Sequence, residues 1–286
     1  MNESRWTIAQ ALMRGRTQIE AAVPDTPLLD AQLLLMHVLG CDRTTLFTWP
    51  EHMLTPVQAD SYFALVARRI DGHPVAHLTG LREFWSLPLA VNPSTLIPRP
   101  DTEVLVAQAL EKVERPDATV LELGTGTGAI ALALQSEQPN WEITAVDYVE
   151  DAVALARQNA QSLGFSQVNI LQSDWFSAIP RNHRFHLIVS NPPYLASDDV
   201  HLKQGDVRFE PHSALVAEDS GLADLIHIAR ESRDFLTEGG WLMLEHGAEQ
   251  GSELREVLQK LGYVQIYTAL DYANLERVTC ARFAES

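Results

Sequence analysis

The first 75 residues repeat their apolar positions at helical spacing and never at the two-residue spacing of a strand. In "DTPLLDAQLLLMHVLG" Asp25 or Thr26 can cap a helix and Pro27 suits its first turn. Leu29, Leu33 and Val38 supply an apolar face, and Gly40 stops the run. "TPVQADSYFALVARRIDG" follows the same plan, with Thr55 and Pro56 at the start, Tyr62, Val66 and Ile70 four apart, and Gly72 at the end. A small all-helical domain over residues 1–75 is predicted, its aromatic and leucine stripes forming its own core. It carries no cofactor motif, which suits substrate recognition. Residues 76–100 switch to short alternating segments such as "REFWSLPLAV", interrupted by prolines, and predict a β-hairpin or extended connector. Pro98 and Pro100 stiffen the chain around Arg99, and Asp101 or Thr102 is placed to cap a helix containing Val104, Leu105 and Leu110.

Residues 101–286 form the next domain, in which strand-like and helix-like stretches alternate from residue 117 onward. "ATVLELG" precedes "GAIALALQSEQ", "WEITAVD" precedes "EDAVALARQNAQSLG", and "VNILQSD", "RFHLIVSN", "GGWLMLEHG", "YVQIYTALD" and "ERVTCARFA" complete about seven strands. The fold class is α/β: a doubly wound, Rossmann-like, mostly parallel sheet. Only "YANL" separates the last two strands, so they form an antiparallel hairpin at one edge.

Composition narrows the setting. No apolar run approaches the roughly 18 residues of a membrane span, and Glu3, Arg5 and Arg14 interrupt the stretch where a secretory signal would need apolar residues. Cys41 and Cys280 lie far apart without metal-type spacing, which suits a reducing cytoplasm, and the histidines have no companions at ligand spacing, so no metal is expected. The formal net charge is −17. Of the 38 acidic and 21 basic side chains only 8 and 6 fall in residues 1–80, so the remainder holds a formal −15. Such a surface repels a phosphate backbone and fits a basic protein partner better.

Candidate chemistry enters at "LELGTGTGA". Gly124, Gly126 and Gly128 turn the first strand of the sheet into a helix, where positive φ and close ligand approach exclude a Cβ. With Ala129 the string also satisfies Gly-x-Gly-x-x-Ala, so alone it leaves a nicotinamide cofactor and S-adenosylmethionine both open. Asp147 ends the second strand, positioned to accept from ribose hydroxyls in either case. "NPPY", residues 191 to 194, closes the fourth strand across the switch point from the glycine turn. That stretch favours methylation of a planar nitrogen, whose delocalised lone pair is useful only if both N–H groups are held. The Asn191 oxygen can take one, a Pro192 carbonyl free of any ladder can take the other, and Tyr194 can stack on the planar group.

"LIPRPDTE", "ELGTGTGAIAL", "SDWF", "NPPY" and "VRFEPHSALVAEDSGL" together resemble the release factor glutamine methyltransferases, the PrmC or HemK family, over the whole chain. The resemblance implies methyl transfer from S-adenosylmethionine to the glutamine side-chain amide of the Gly-Gly-Gln loop of class I peptide-chain release factors. It implies a cofactor site of Gly124, Thr125, Gly126, Thr127, Gly128 and Asp147, with Trp175 beside the adenine and Asn191 bordering it. It implies a substrate site of Asn191, Pro192, Pro193 and Tyr194, of which Asn191, Pro192 and Tyr194 carry the catalysis. Asp174 serves either the adenine amine or a strand-end cap. Residues 206–222 are positioned as a lid, with Glu210 and Pro211 as wall residues. Two alternatives stand beside this reading. A nucleic acid amine methyltransferase acting on adenine or guanine shares the chemistry but wants a basic groove, and a nicotinamide oxidoreductase leaves Asn191 to Tyr194 unexplained.

Overall fold

The structure, a computed structural model, describes residues 6–203, 205–218 and 221–284. The chain divides into two compact units: residues up to Leu81 together with Lys203–Phe209, and Arg82–Leu202 together with Glu210 onward.

The first unit contains α1 (Ile8–Glu20), α2 (Pro27–Leu39), α3 (Arg43–Thr48), α4 (Pro56–Ile70) and α5 (Val75–Thr79). α1 and α4 each open on a reciprocal capping box, Thr7 with Gln10 and Thr55 with Gln58, so two orphan amides are satisfied at each start. Gly40 ends α2 in the left-handed region at φ +61°. Ile8, Ile19, Leu34, Leu35, Tyr62 and Val66 form the centre of the core. The expected face of α2 is corrected here: Leu29 is exposed and Leu33 and Val38 are half-buried, while Asp30, Ala31, Leu34 and Leu35 point inward. Asp30 is drawn in by the buried Arg69 of α4, whose Nε donates to it at 2.7 Å and whose Nη1 donates to Asp206 at 2.7 Å.

From Arg82 the second unit opens on a hairpin of β1 (Leu81–Phe84, whose first residue is counted with the first unit) and β2 (Leu87–Ala90), turned by Trp85 and Ser86 at φ +51° and +60°. Positive φ at both central residues suits the twist of a tight hairpin. A 3₁₀ turn at Pro100–Thr102 leads into α6 (Glu103–Lys112), and neither Asp101 nor Thr102 caps the helix through its side chain. Then come β3 (Thr119–Leu123), α7 (Ala129–Glu137), β4 (Glu142–Asp147), α8 (Glu150–Ser162), β5 (Asn169–Gln172) and β6 (Phe185–Ser190). α9 (Ala223–Glu231), β7 (Leu236–Glu245), α10 (Gly251–Lys260), β8 (Val264–Leu270) and β9 (Glu276–Arg282) complete the unit.

The seven-stranded sheet has the order β5-β4-β3-β6-β7-β9-β8, parallel except for β9, which runs antiparallel to both neighbours. The doubly wound α/β reading and the edge hairpin are therefore borne out. Alternation along β3 sends Val120 to one side of the sheet with Ile130 and Leu134, and Leu121 and Leu123 to the other with Ile228 and Leu254. Burial on both faces explains why these strands read as continuous apolar runs. The chain reverses winding between β3 and β6, which pair with Leu123 opposite Ser190, so the loops after these strands diverge and leave a crevice at their carboxyl ends.

Candidate active site

A cavity of about 400 Å³ opens at that crevice. Its floor is the glycine turn. Gly126 sits at φ +55° and Gly128 at φ +85°, and a Cβ on Gly128 would come within 3.1 Å of Leu132 and 3.4 Å of Ala156. Any larger residue at 128 would thus strain the backbone and push α7 away from α8. The turn is tied from below by Glu122, whose Oε2 accepts from Thr125 Oγ1 at 2.6 Å and from the Ala131 amide at 3.1 Å. Asn159 of α8 donates to the Thr127 carbonyl at 2.9 Å and to the Ala90 carbonyl at 3.0 Å, joining the turn to the hairpin.

Asp147, at the end of β4, accepts from the Gly126 amide at 2.8 Å through Oδ2 and from the Val149 amide at 2.9 Å through Oδ1. Burial raises its carboxyl above the ordinary range against the pull of those amides. Trp175, held at φ +45°, lies over the turn with its ring 3.9 Å from where a Gly124 Cβ would stand. Gly124, Thr125, Gly126, Thr127, Asp147 and Trp175 all line the cavity, whereas Gly128 lies behind it as the residue preceding α7.

The second wall comes from the end of β6. Ser190 Oγ donates to the Leu123 carbonyl at 2.7 Å, bolting this strand end to the glycine turn. Asn191 and Pro193 face the cavity. The Asn191 Nδ2 donates to Thr102 Oγ1 at 3.3 Å, so the threonine expected to cap α6 serves the asparagine instead. Pro192 is buried, and among the described residues nothing donates to its carbonyl. Neither Pro192 nor Tyr194 is among the residues lining the cavity. The Tyr194 ring packs toward the core beside Gly247, burial raises its phenol pKa, and its carbonyl accepts from Gln250 Nε2 at 3.0 Å.

Within residues 206–222, Ser213, Ala214 and Val216 reach the cavity and Glu210 and Pro211 do not; Asp219 and Ser220 lie outside the described residues. The buried Glu210 accepts from Arg99 Nη2 at 2.7 Å. The backbone of Asp174 makes the local turn, its amide donating to Ser177 Oγ at 3.1 Å, while its residue lines the cavity.

Four residues here escaped the sequence reading: Thr95, Glu122, Asp224 and Glu245. A signal existed for two of them, since Glu122 in "LELG" and Glu245 in "LMLEH" are acids inside otherwise apolar strands. Burial pushes the Glu122 carboxyl up to about 8, with the Asp147 charge adding to the rise and the Thr125 and Ala131 hydrogen bonds opposing it. A carboxyl raised on folding stabilises fully below its ordinary value of 4.5, and that contribution is lost as pH rises toward 8. Glu122→Gln should therefore gain thermal stability relative to the parent as pH is raised from 5 to 8. Melting curves of both proteins without ligand would check this, and a constant difference across that range would count against the assignment.

Comparison with known proteins accords with this geometry. Residues 10–80 match the PrmC N-terminal domain and residues 100–210 the methyltransferase small domain. The chain is 54% identical over 272 residues to the release factor glutamine methyltransferase of Escherichia coli, covering 95% of this chain and 97% of that one. It is 49% identical over 267 residues to the protein of the same description from Pseudomonas aeruginosa, covering 93% and 96%. The chain belongs to the release factor glutamine methyltransferases. The fold alone is shared with a methyltransferase from Pyrococcus furiosus, at TM-score 0.55 and 20% identity over 77% of this chain and 98% of that one.

The methyl donor of this glutamine methyltransferase is S-adenosylmethionine, and the cavity suits it. Glu122 Oε1 and Thr95 Oγ1 are buried without partners among the described residues, in side chains that line the cavity. Asp147, Asp174 and Asp224 add carboxylates to the same walls, a set matched to a ligand that carries an ammonium, a sulfonium and two hydroxyls. We expect Asp147→Ala to weaken cofactor binding by roughly 1.5–3 kcal/mol, the worth of hydrogen bonds to a charged acceptor, with little change in turnover at saturation. Calorimetry showing unchanged affinity would remove Asp147 from the site.

Proposed function

We propose that this enzyme methylates the side-chain amide nitrogen of the glutamine in the Gly-Gly-Gln motif of class I peptide-chain release factors, tuning translation termination. The observation that carries this reading is Asn191 on the cavity wall next to a Pro192 carbonyl that has no other partner among the described residues. An amide nitrogen is a poor nucleophile because its lone pair is delocalised into the carbonyl. Asn191 Oδ1 and the Pro192 carbonyl each take one of its N–H groups, which fixes the nitrogen and turns its lone pair toward the cavity. Gly124 to Thr127, Asp147 and Trp175 would hold the cofactor, with Gly128 shaping the turn behind them, and the cofactor supplies an electrophilic methyl group when bound. Pro193 closes the wall beside Asn191. With its ring in the core and its carbonyl held by Gln250, Tyr194 keeps the turn rigid.

The partner is the release factor rather than nucleic acid, because a chain at −17 with only 21 basic side chains lacks the cations that a phosphate backbone requires. The working place is the cytoplasm, where termination occurs; among the described residues no helix is long and apolar enough to cross a membrane. Incubation with labelled S-adenosylmethionine should label purified release factor at that glutamine and leave RNA and DNA unlabelled. Label on nucleic acid in place of the protein would favour the amine methyltransferase reading.

Recognition of the body of the release factor falls to the helical unit. Its segment from α3 into α4 exposes Phe47, Trp49, Met53 and Val57 within eleven residues. Phe47→Ser combined with Trp49→Ser should raise KM for whole release factor severalfold. It should leave kcat unchanged, along with methylation of a short peptide that carries the Gly-Gly-Gln sequence. Steady-state kinetics on both substrates would check it, and equal losses on the two would place the effect elsewhere.

A further inference from the structure

The end of β7 lies beside the end of β6, with Leu244 opposite Ser190, so Glu245 stands next to Asn191. Glu245 is 1% exposed. Burial raises its carboxyl to about 7, with the neighbouring Thr102 and Asn191 side chains opposing the rise, and its Oε2 has no partner among the described residues. A buried carboxylate is costly unless a cation compensates it. None does so by direct contact among the described residues. Arg277, whose charge Glu245 feels, spends its guanidinium on Asp271 at 3.0 Å and on the His246 carbonyl at 3.2 Å. Asp101, the other nearby charge, has the wrong sign. Core packing does not call for such a group, since Leu242, Met243 and Leu244 on the same strand are fully buried and apolar.

The two ends of an asparagine amide have nearly the same shape, but one donates and the other accepts. At position 191 the difference decides whether the acceptor nitrogen meets a partner or a second donor. Thr102 Oγ1 accepts from Nδ2 at 3.3 Å, and Glu245, set beside Asn191 by the β6–β7 register, offers a second acceptor to the same group. A half-turn of the amide would set its oxygen against a buried carboxylate and offer an NH₂ to the NH₂ of the substrate.

We propose that Glu245, with the Thr102 hydroxyl, is the positioning residue of this methyltransferase: it holds Asn191 in the one amide orientation that presents Oδ1 to the substrate nitrogen. This rests on the reading of Asn191 as acceptor for the glutamine amide. It also explains why two segments far apart in sequence, the "PDTE" turn and the "LMLEH" strand end, converge behind the "NPPY" loop. Glu245 touches neither cofactor nor substrate, so its effect is confined to orientation.

The test is single-turnover methylation of release factor at saturating cofactor by Glu245→Leu, Glu245→Gln and Thr102→Val, each alone and combined with Asn191→Ala. Leu offers no acceptor, so roughly tenfold slower methylation is expected, as for a misplaced reacting group. Calorimetric affinity for S-adenosylmethionine should be unchanged and the melting temperature should not fall, because an incompletely paired buried carboxylate has been removed. Gln retains an acceptor oxygen and should restore most of the rate. None of the three should slow Asn191→Ala further, since there is no amide left to orient. Should Glu245→Leu fail to fold, Thr102→Val, nearly identical in shape, carries the same comparison with a smaller loss. A Leu variant as fast as wild type would overturn the proposal. So would a loss of equal size in the Asn191→Ala background, or failure of Gln to restore more rate than Leu. If wild type does not methylate release factor at all, the substrate reading fails first and separately.

Discussion

Asn191→Ala should cost roughly 2–4 kcal/mol of transition-state stabilisation, the loss typical of removing one preorganised hydrogen-bonding group. The fall should appear in turnover, because the contact is made to the reacting nitrogen and not to the cofactor. Cofactor affinity should change much less, since the glycine turn is tied by Glu122 and Asn159 and Asp147 is held by the amides of Gly126 and Val149. Asn191→Asp is the informative companion. It keeps an oxygen where the acceptor is needed but sets a second carboxyl beside the buried Glu245, and two adjacent buried carboxyls tend to share a proton. The shared proton lets one oxygen still face the substrate, so Asp should fall between wild type and Ala. Single-turnover rates of the three proteins at saturating cofactor measure the order. An Ala variant as fast as wild type, or an Asp variant slower than Ala, would refute the role given to the Asn191 oxygen.

Arg69→Ala should destabilise the helical unit by about 3–5 kcal/mol, the usual result of removing one partner from a buried ion pair. Arg69 and Asp30 have side chains only 7% and 6% exposed, and Arg69 also bonds Asp206. Without the guanidinium, Asp30 is left in the core without its cation. Lost pairing, rather than lost volume, is the cause, so Arg69→Met should be nearly as harmful. Asp30→Leu with Arg69→Met should recover most of the stability, because an apolar pair of similar size avoids the desolvation altogether. Thermal or urea unfolding of the three variants distinguishes these cases; a double variant no better than Arg69→Met would mean that packing, not charge, governs the site.

The elements that were legible in the sequence are those set by neighbours along the chain. Thr55 with Gln58 closes a capping box within four residues, Gly40 takes a conformation other residues avoid, and the apolar runs at β3, β4 and β6 record burial on both faces of a parallel sheet. Much of the site was legible for the same reason. A glycine turn, a strand-ending Asp147 and "NPPY" are each local devices, and the α/β alternation brings the ends of β3, β4 and β6 to one crevice once winding reverses.

What the sequence left open concerns partners distant along the chain. α2 is apolar nearly all round, so periodicity alone did not choose its buried face; Arg69, 39 residues further on, did so by drawing Asp30 inward. Thr102 has the sequence position of a helix cap and instead accepts from Asn191, 89 residues away. Tyr194 stands in a motif that suggests a stacking face, yet Gly247 and Gln250 hold it against the core. Glu245 reads as an interruption in a strand until β6 sets Asn191 beside it. Backbone conformation and periodicity are fixed by interactions a few residues apart, so the sequence determined the elements and their order. A buried polar side chain needs a partner of opposite donor or acceptor character, and only the packed structure decided which distant residue met that need.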